Sequence, residues 1–500
     1  METFGYLIQG FSEIFTPQAL FYCLLGVTLG NFIGALPGLG PSAGTAILLP
    51  IAASMPPAIA LIMLCGIYYG AMYGGTITSV LLNIPGESSA IMSAVEGFKL
   101  AKKGRGGVAL GIAAIGSFIA GTIGVIALTF FAPPLAEKAL LFGPAEKFAL
   151  LALAFTFVSS FTSGALSKSL IALFLGLLAA TVGQDVLTGV PRLTFDTEFL
   201  LDGIDFVPVV MGFFALAEVM NEMEKGEATE EIGVGALGRV IPNAQELRES
   251  AMPCARGTFL GFICGLLPGA GATIASFLAY GAEKRYSKRS EEFGHGSLDA
   301  IASTESANNA ASAGHMIPLM ALAIPGSSTT AILLTGFMMF GLQPGPLLFT
   351  QHPDIAWSLI ASMYMGNVML LIMNIVGIPL FVWAVKKSTP FLVPLVVTIT
   401  IAGVFSVNNS MRDVWLTIAC CLVGYILTKL EFSMVPILLG VVLGGLAETS
   451  FRTALRISDG SFMTFLDKPI SATLLFISLI IIVAPIVMSN IKKRRALINP

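Results

Sequence analysis

What this chain can become is limited first by a succession of long apolar blocks, at residues 107–131, 148–158, 170–182, 355–385 and 472–488. Several are long enough to cross a hydrocarbon layer about 30 Å thick, which takes roughly 20 helical residues. Counted with shorter neighbours that Gly and Pro interrupt, they predict about 11 to 13 membrane segments, some of them broken. The composition agrees, because 55% of residues are hydrophobic and 11% are charged, against about 25% charged in soluble domains. With mean hydropathy at +0.86 a water-soluble fold is excluded, and an all-α polytopic membrane protein is expected.

A net charge of −3 offers no basic face for nucleic acid, so the basic residues speak to topology instead. The six cysteines, Cys23, Cys65, Cys254, Cys264, Cys420 and Cys421, show no Cys-x-x-Cys spacing and read as packing residues. The first 16 residues lack a basic stretch and contain Glu13, so the first helix is expected to insert uncleaved.

The chain repeats itself. Gly34-Ala-Leu-Pro37-Gly38-Leu-Gly40-Pro-Ser42 returns as Gly265-Leu-Leu-Pro268-Gly269-Ala-Gly271-Ala-Thr273, a shift of 231 (265 minus 34). Asn83-Ile-Pro85-Gly86 returns as Ala323-Ile-Pro325-Gly326, a shift of 240 (323 minus 83). Val207-Pro208 and Gly212 return as Val435-Pro436 and Gly440 at a shift of 228 (435 minus 207). Landmarks in one order with small drift indicate a duplicated unit.

The charged loops distinguish a parallel from an inverted duplication. In the first half the basic loop follows the Ile-Pro-Gly motif, with Lys99, Lys102, Lys103 and Arg105; its counterpart at residues 338–348 has none. In the second half the basic loop follows the Leu-Pro-Gly motif, with Lys284, Arg285, Lys288 and Arg289, opposite the uncharged 52–58. If both basic loops are cytoplasmic, equivalent loops face opposite sides, and the repeats are inverted. The expected organisation is membrane repeat one at 1–220, a hydrophilic linker at 221–250, repeat two at 251–450, and a terminal helix at 451–500. Its Lys492-Lys493-Arg494-Arg495 tail is expected to be cytoplasmic.

Backbone leaves a helix inside a membrane only where protein or a wet cavity satisfies its amides. The breaks at Pro37, Gly38 and Gly40 and at Pro268, Gly269 and Gly271 therefore predict re-entrant hairpins or broken helices. Half-helices starting there aim N–H groups and a positive dipole end at an anion, with Ser42 and Thr273 adding hydroxyls. The alternative is a proline kink with glycine packing. The Ile-Pro-Gly breaks supply Asn83, Glu87, Ser88 and Ser89 in one half and Ser327, Ser328 and Thr329 in the other. They read either as a second pair of hydroxyl-rich anion contacts or as helix caps at a membrane surface.

The stretch Ser303-Thr-Glu305-Ser-Ala-Asn308-Asn309-Ala-Ala-Ser312 is too polar for lipid. It presents a carboxylate and two amides suited to a cation such as sodium, or else caps a helix beginning near Ala307. Tyr68, Tyr69 and Tyr73 line a pocket or pack, and His315 is the one histidine set in a hydroxyl-rich region. No metalloprotease, phosphate-loop or nucleophile-elbow motif is present, so neither an enzyme nor an ATP-driven pump is expected.

Gly34-Ala-Leu-Pro-Gly-Leu-Gly40, Gly70-Ala-Met-Tyr-Gly-Gly75, Ile84-Pro-Gly86, Glu305-Ser-Ala-Asn-Asn309 and Ile324-Pro-Gly326 resemble the large membrane subunit (TctA) of the tripartite tricarboxylate transporters, over about residues 15 to 450. The resemblance implies a bacterial inner-membrane symporter working with a small membrane subunit and a periplasmic solute-binding protein. It implies a carboxylate substrate such as citrate, driven by sodium or protons, and no cofactor beyond that coupling ion. Glu305, Asn308 and Asn309 are the expected ion-coupling residues. A non-transporting scaffold or receptor subunit and an anion channel are the alternatives, and an oligomer is compatible with the sequence.

Overall fold

The computed structural model describes residues 2–36, 39–83, 85–161, 165–185, 188–225, 238–269, 271–388 and 391–498. Pro37 and Gly38 of the expected anion site, and residues 226–237 of the expected linker, lie outside them. The described residues of the protein are 82% helical. Among the described residues its strands are one antiparallel pair, Gly183–Gln184 with Pro191–Arg192. It is an all-α polytopic membrane protein, as the hydropathy predicts.

In chain order the helices begin with α1 (Glu2–Ile14), α2 (Pro17–Ala35), α3 (Pro41–Ala53), α4 (Pro57–Leu82), α5 (Ile91–Lys102) and α6 (Gly106–Ala139). There follow α7 (Pro144–Phe161), α8 (Leu166–Ala180), α9 (Phe206–Val210), α10 (Ala217–Lys225), α11 (Ala244–Leu266) and α12 (Gly271–Tyr286). Next come α13 (Leu298–Leu322), α14 (Ser328–Met339), α15 (Pro346–Gln351), α16 (Pro353–Val376), α17 (Ile378–Ser388) and α18 (Leu392–Asn408). The chain finishes with α19 (Met411–Lys429), α20 (Met434–Ile457), α21 (Thr464–Asp467) and α22 (Pro469–Ile498). Among the described residues α2, α4, α6, α16, α19 and α20 are each long and apolar enough to cross a membrane, and six shorter apolar helices accompany them.

Helix starts are written locally. Pro at the first position opens α2, α3 and α4, where its missing N–H costs nothing. Asn243 and Glu246 form a reciprocal capping box on α11, and Ser297 accepts from the Ala300 amide to start α13.

By internal packing the chain divides into two units, Met1–Glu137 with Val207–Tyr425, and Lys138–Phe206 with Ile426–Pro500. The first is organised by two long helix pairs. Gly26, Gly30 and Gly34 of α2 lie against the α4 backbone, and a Cβ on Gly34 would stand 2.1 Å from the Ala71 carbonyl oxygen. Gly257, Gly261 and Gly265 of α11 meet α13 in the same way, Gly261 against Ala307 at 2.1 Å. This is small-residue packing, which lets helices approach where lipid offers no hydrophobic drive. The two glycine stripes are themselves 231 residues apart (257 minus 26).

Matching breaks have matching backbones. Leu36 ends α2 at φ −82° and ψ 120°, and Leu267 ends α11 at φ −93° and ψ 117°. Asn83 and Ala323 end α4 and α13 as left-handed caps, both at φ 58°. At one end of this unit Lys103 donates to the His295 carbonyl at 2.8 Å and Lys99 donates to the Gly294 carbonyl, so the two basic loops lie together. Glu96 of α5 is buried there and accepts from the Tyr280 hydroxyl and from the amides of Gly294, Gly296 and Ser297.

In the second unit α8 packs on α20, with a Cβ on Gly176 2.1 Å from the Ile437 carbonyl oxygen. Arg192 and Arg452 each bridge Asp185 and Glu448, closing a four-member ion-pair network.

Candidate functional site

The interruptions of the first unit converge. Gly86 leaves room for the other break of its own half, since a Cβ there would stand 1.9 Å from the Gly34 carbonyl oxygen. In the second half the Gly269 amide donates to the Gly326 carbonyl at 3.0 Å, joining those two breaks. The halves are then linked by the Ser88 and Thr273 hydroxyls, 2.7 Å apart. Within each half the breaks meet through backbone, with Gly86 needed for its close approach and Gly269 for its φ of 81°, and the two halves meet through side-chain hydroxyls.

The remaining expected site residues fall around this junction in different roles. Gly40 is the N-cap of α3 and no side chain caps that end, while Ser42 lies in its first turn. Pro268 is buried, and Gly271 opens α12 at φ 66°. Ser327 caps α14 in a capping box with Thr330, and Ser328 and Thr329 form its first turn. Asn83 is exposed as the left-handed end of α4, a position that favours asparagine for structural reasons.

Beside the junction lies a buried polar network centred on Glu305. α13 begins at Leu298, so Glu305, Asn308 and Asn309 sit inside a buried helix whose cap is Ser297. They therefore do not cap a helix starting near Ala307. The Glu305 carboxyl is fully buried and accepts from Thr76 at 2.7 Å, from Asn308 at 3.1 Å and from Ser93. Asn308 also approaches Ser89 at 3.5 Å, and Asn309 donates to Ser117 at 2.8 Å and to the Asn308 side-chain oxygen at 2.5 Å. The carboxyl's own partners come from α4, α5 and α13, so it ties the first half of the sequence to the second, and Ser117 of α6 joins the network through Asn309. None of its partners carries positive charge. A carboxyl in such a place is either protonated and neutral or, when ionised, needs a cation beside it.

Thr76, Ser93 and Ser117 were not singled out in the sequence, where isolated hydroxyls in apolar helices are common. Thr76 directly follows Gly74-Gly75, the one local signal that could have found it. Tyr68, Tyr69 and Tyr73 are buried, and Tyr73 donates to Asn367 at 2.7 Å. Two further buried polar atoms near the breaks, Glu87 Oε1 and His315 Nε2, have no hydrogen-bond partner.

Comparison with known proteins follows the same residues. The model of the tripartite tricarboxylate transporter TctA family matches residues 20–439. An "uncharacterized 52.8 kDa protein in TAR-I ttuC' 3'region" of Agrobacterium vitis is 42% identical over 494 residues, covering 99% of this chain and 98% of that protein. An "uncharacterized protein in TAR-II ttuC' 3'region" of the same organism is 39% identical over 234 residues, covering 47% of this chain and 97% of that protein. No solved structure matches the chain.

Proposed function

The chain belongs to the tripartite tricarboxylate transporter TctA family, and from that premise we propose that it carries out ion-coupled uptake of carboxylates such as citrate. It works in the bacterial inner membrane with a periplasmic solute-binding protein and a small membrane subunit. The substrate anion binds where the breaks converge, held by half-helix amides and by Ser88, Ser89, Thr273 and Ser327, with no buried arginine. Glu305, Asn308 and Asn309 couple the substrate to sodium or protons.

The observation that carries this reading is the Glu305 network. A fully buried carboxyl with only neutral donors, joined to both halves and set beside the intramembrane breaks, suits a group that takes up and releases a cation. A scaffold has no use for it.

The repeats are inverted in this reading, and the C-terminal tail is cytoplasmic. Support comes from the contacts of Lys99 and Lys103 with Gly294 and His295, because non-equivalent basic loops then share one end of the first unit.

The test is uptake of radiolabelled citrate and a panel of other carboxylates into liposomes holding this chain, its small partner and a matched binding protein. Sodium and pH gradients are imposed separately. Accumulation that saturates and requires one of the gradients is expected. Flux that follows substrate alone points to a channel, and no flux with any carboxylate overturns the reading.

A further inference from the structure

His315 belongs to none of the groups described so far. It lies on α13 one turn beyond Ser312 and is fully buried. Its Nδ1 is 2.9 Å from the hydroxyl of Tyr68, itself fully buried on α4. The ring is pressed against the second Ile-Pro-Gly break, where a Cβ on Gly326 would stand 2.3 Å from Cδ2. The carbonyl of that same Gly326 receives the Gly269 amide, so the imidazole flanks the junction of the second-half breaks.

The other ring nitrogen, Nε2, is buried and has no partner. Buried polar atoms are nearly always hydrogen-bonded, so an orphan at a junction of broken helices marks a place where a ligand atom belongs. A phenol is the better donor and a neutral imidazole nitrogen the better acceptor. With Tyr68 donating to Nδ1, the ring proton resides on Nε2, which becomes a directed N–H donor.

We propose that His315 recognises the substrate, its Nε2–H donating to a carboxylate oxygen of an anionic ligand seated at the junction, with Tyr68 as the positioning residue that fixes the ring. This rests on the carboxylate-transport reading above and deepens it. Neutral donors suit an anion inside a membrane, because they stabilise its charge without adding a buried cation.

The test is equilibrium binding of radiolabelled citrate, malate and succinate to the purified membrane subunits, without binding protein, so that the membrane site alone is read. His315→Ala is expected to weaken binding about tenfold or more, the loss of one hydrogen bond to a charged group. His315→Gln, whose amide reaches nearly the same point, is expected to stay within about threefold, and Tyr68→Phe to fall between. Unchanged affinity in His315→Ala overturns the proposal. Where that variant does not fold, unchanged affinity in Tyr68→Phe does so, because a packing role for the ring is indifferent to the phenol hydroxyl. If the unaltered protein binds no carboxylate, the transport reading falls and this inference falls with it. If it binds one and the variants bind equally well, only the role of His315 is lost.

Discussion

At the scale of single residues, two buried glutamates do opposite jobs. Glu96 accepts from three backbone amides and a tyrosine hydroxyl and thereby caps the turn that starts α13. Glu96→Ala strands those amides, and with about 1–3 kcal/mol per buried unpaired donor it should lower thermal stability sharply. Melting in detergent measures it, and a change of less than about 1 kcal/mol would contradict the capping role. Glu305 holds no backbone amide, and two of its three partners, the Thr76 and Ser93 hydroxyls, can accept as well as donate, so a side-chain amide can be held in its place. Glu305→Gln should therefore leave the protein folded and monodisperse while gradient-driven uptake falls at least about tenfold. Retained accumulation under either gradient would remove Glu305 from the coupling mechanism. Glu305, Asn308 and Asn309 were legible because consecutive polar residues stand out in an apolar chain. Their partners were not, since Thr76 lies 229 residues away from Glu305 and only folding brings the two together.

Among elements, the glycine stripes decide how closely the helices of each pair approach. Backbone carbonyls cannot yield as a flexible side chain does, so a bulky residue on the stripe must push the helices apart. Gly30→Leu and Gly261→Leu should each cost about 3 kcal/mol, near the upper end for overpacked cores. Gly281→Ala in α12, with nothing within 4 Å of its absent Cβ, should stabilise by up to about 1 kcal/mol. Comparing the three by thermal unfolding separates packing from helix propensity, and equal effects would mean that the stripes carry no contact of consequence. The spacing of these glycines is plain in the sequence, as are the helix-opening prolines. The partner surface is not, because Met63, Ile67 and Ala71 present backbone to the stripe, and backbone has no sequence signature. The polar stretch at residues 303–312 was open to two readings for a related cause. A serine at 297 reads as a cap only once the chain before it is seen to turn.

Over the whole molecule, sequence order and packing cut the chain differently. The repeats expected from the sequence run one after the other, whereas each packed unit is built from two segments separated in sequence by part of the other unit. Linear similarity exposes the first arrangement, and only long-range contacts expose the second. Charge placement gives a handle on orientation because it acts locally during insertion. Lys102 and Lys288 are exposed in the two basic loops, and Ser54 and Gln343 are exposed at the equivalent positions of the opposite halves. If the repeats are inverted, single cysteines at 102 and 288 should react with a membrane-impermeant maleimide from one side of the membrane. Cysteines at 54 and 343 should then react from the other, with the six native cysteines replaced throughout. A parallel duplication instead pairs 102 with 343 on one side and 54 with 288 on the other. The two patterns share no outcome, so one labelling experiment on inside-out and right-side-out vesicles decides between them. The inverted pattern would also explain why the Lys103–His295 contact joins loops that have no counterpart relation in sequence.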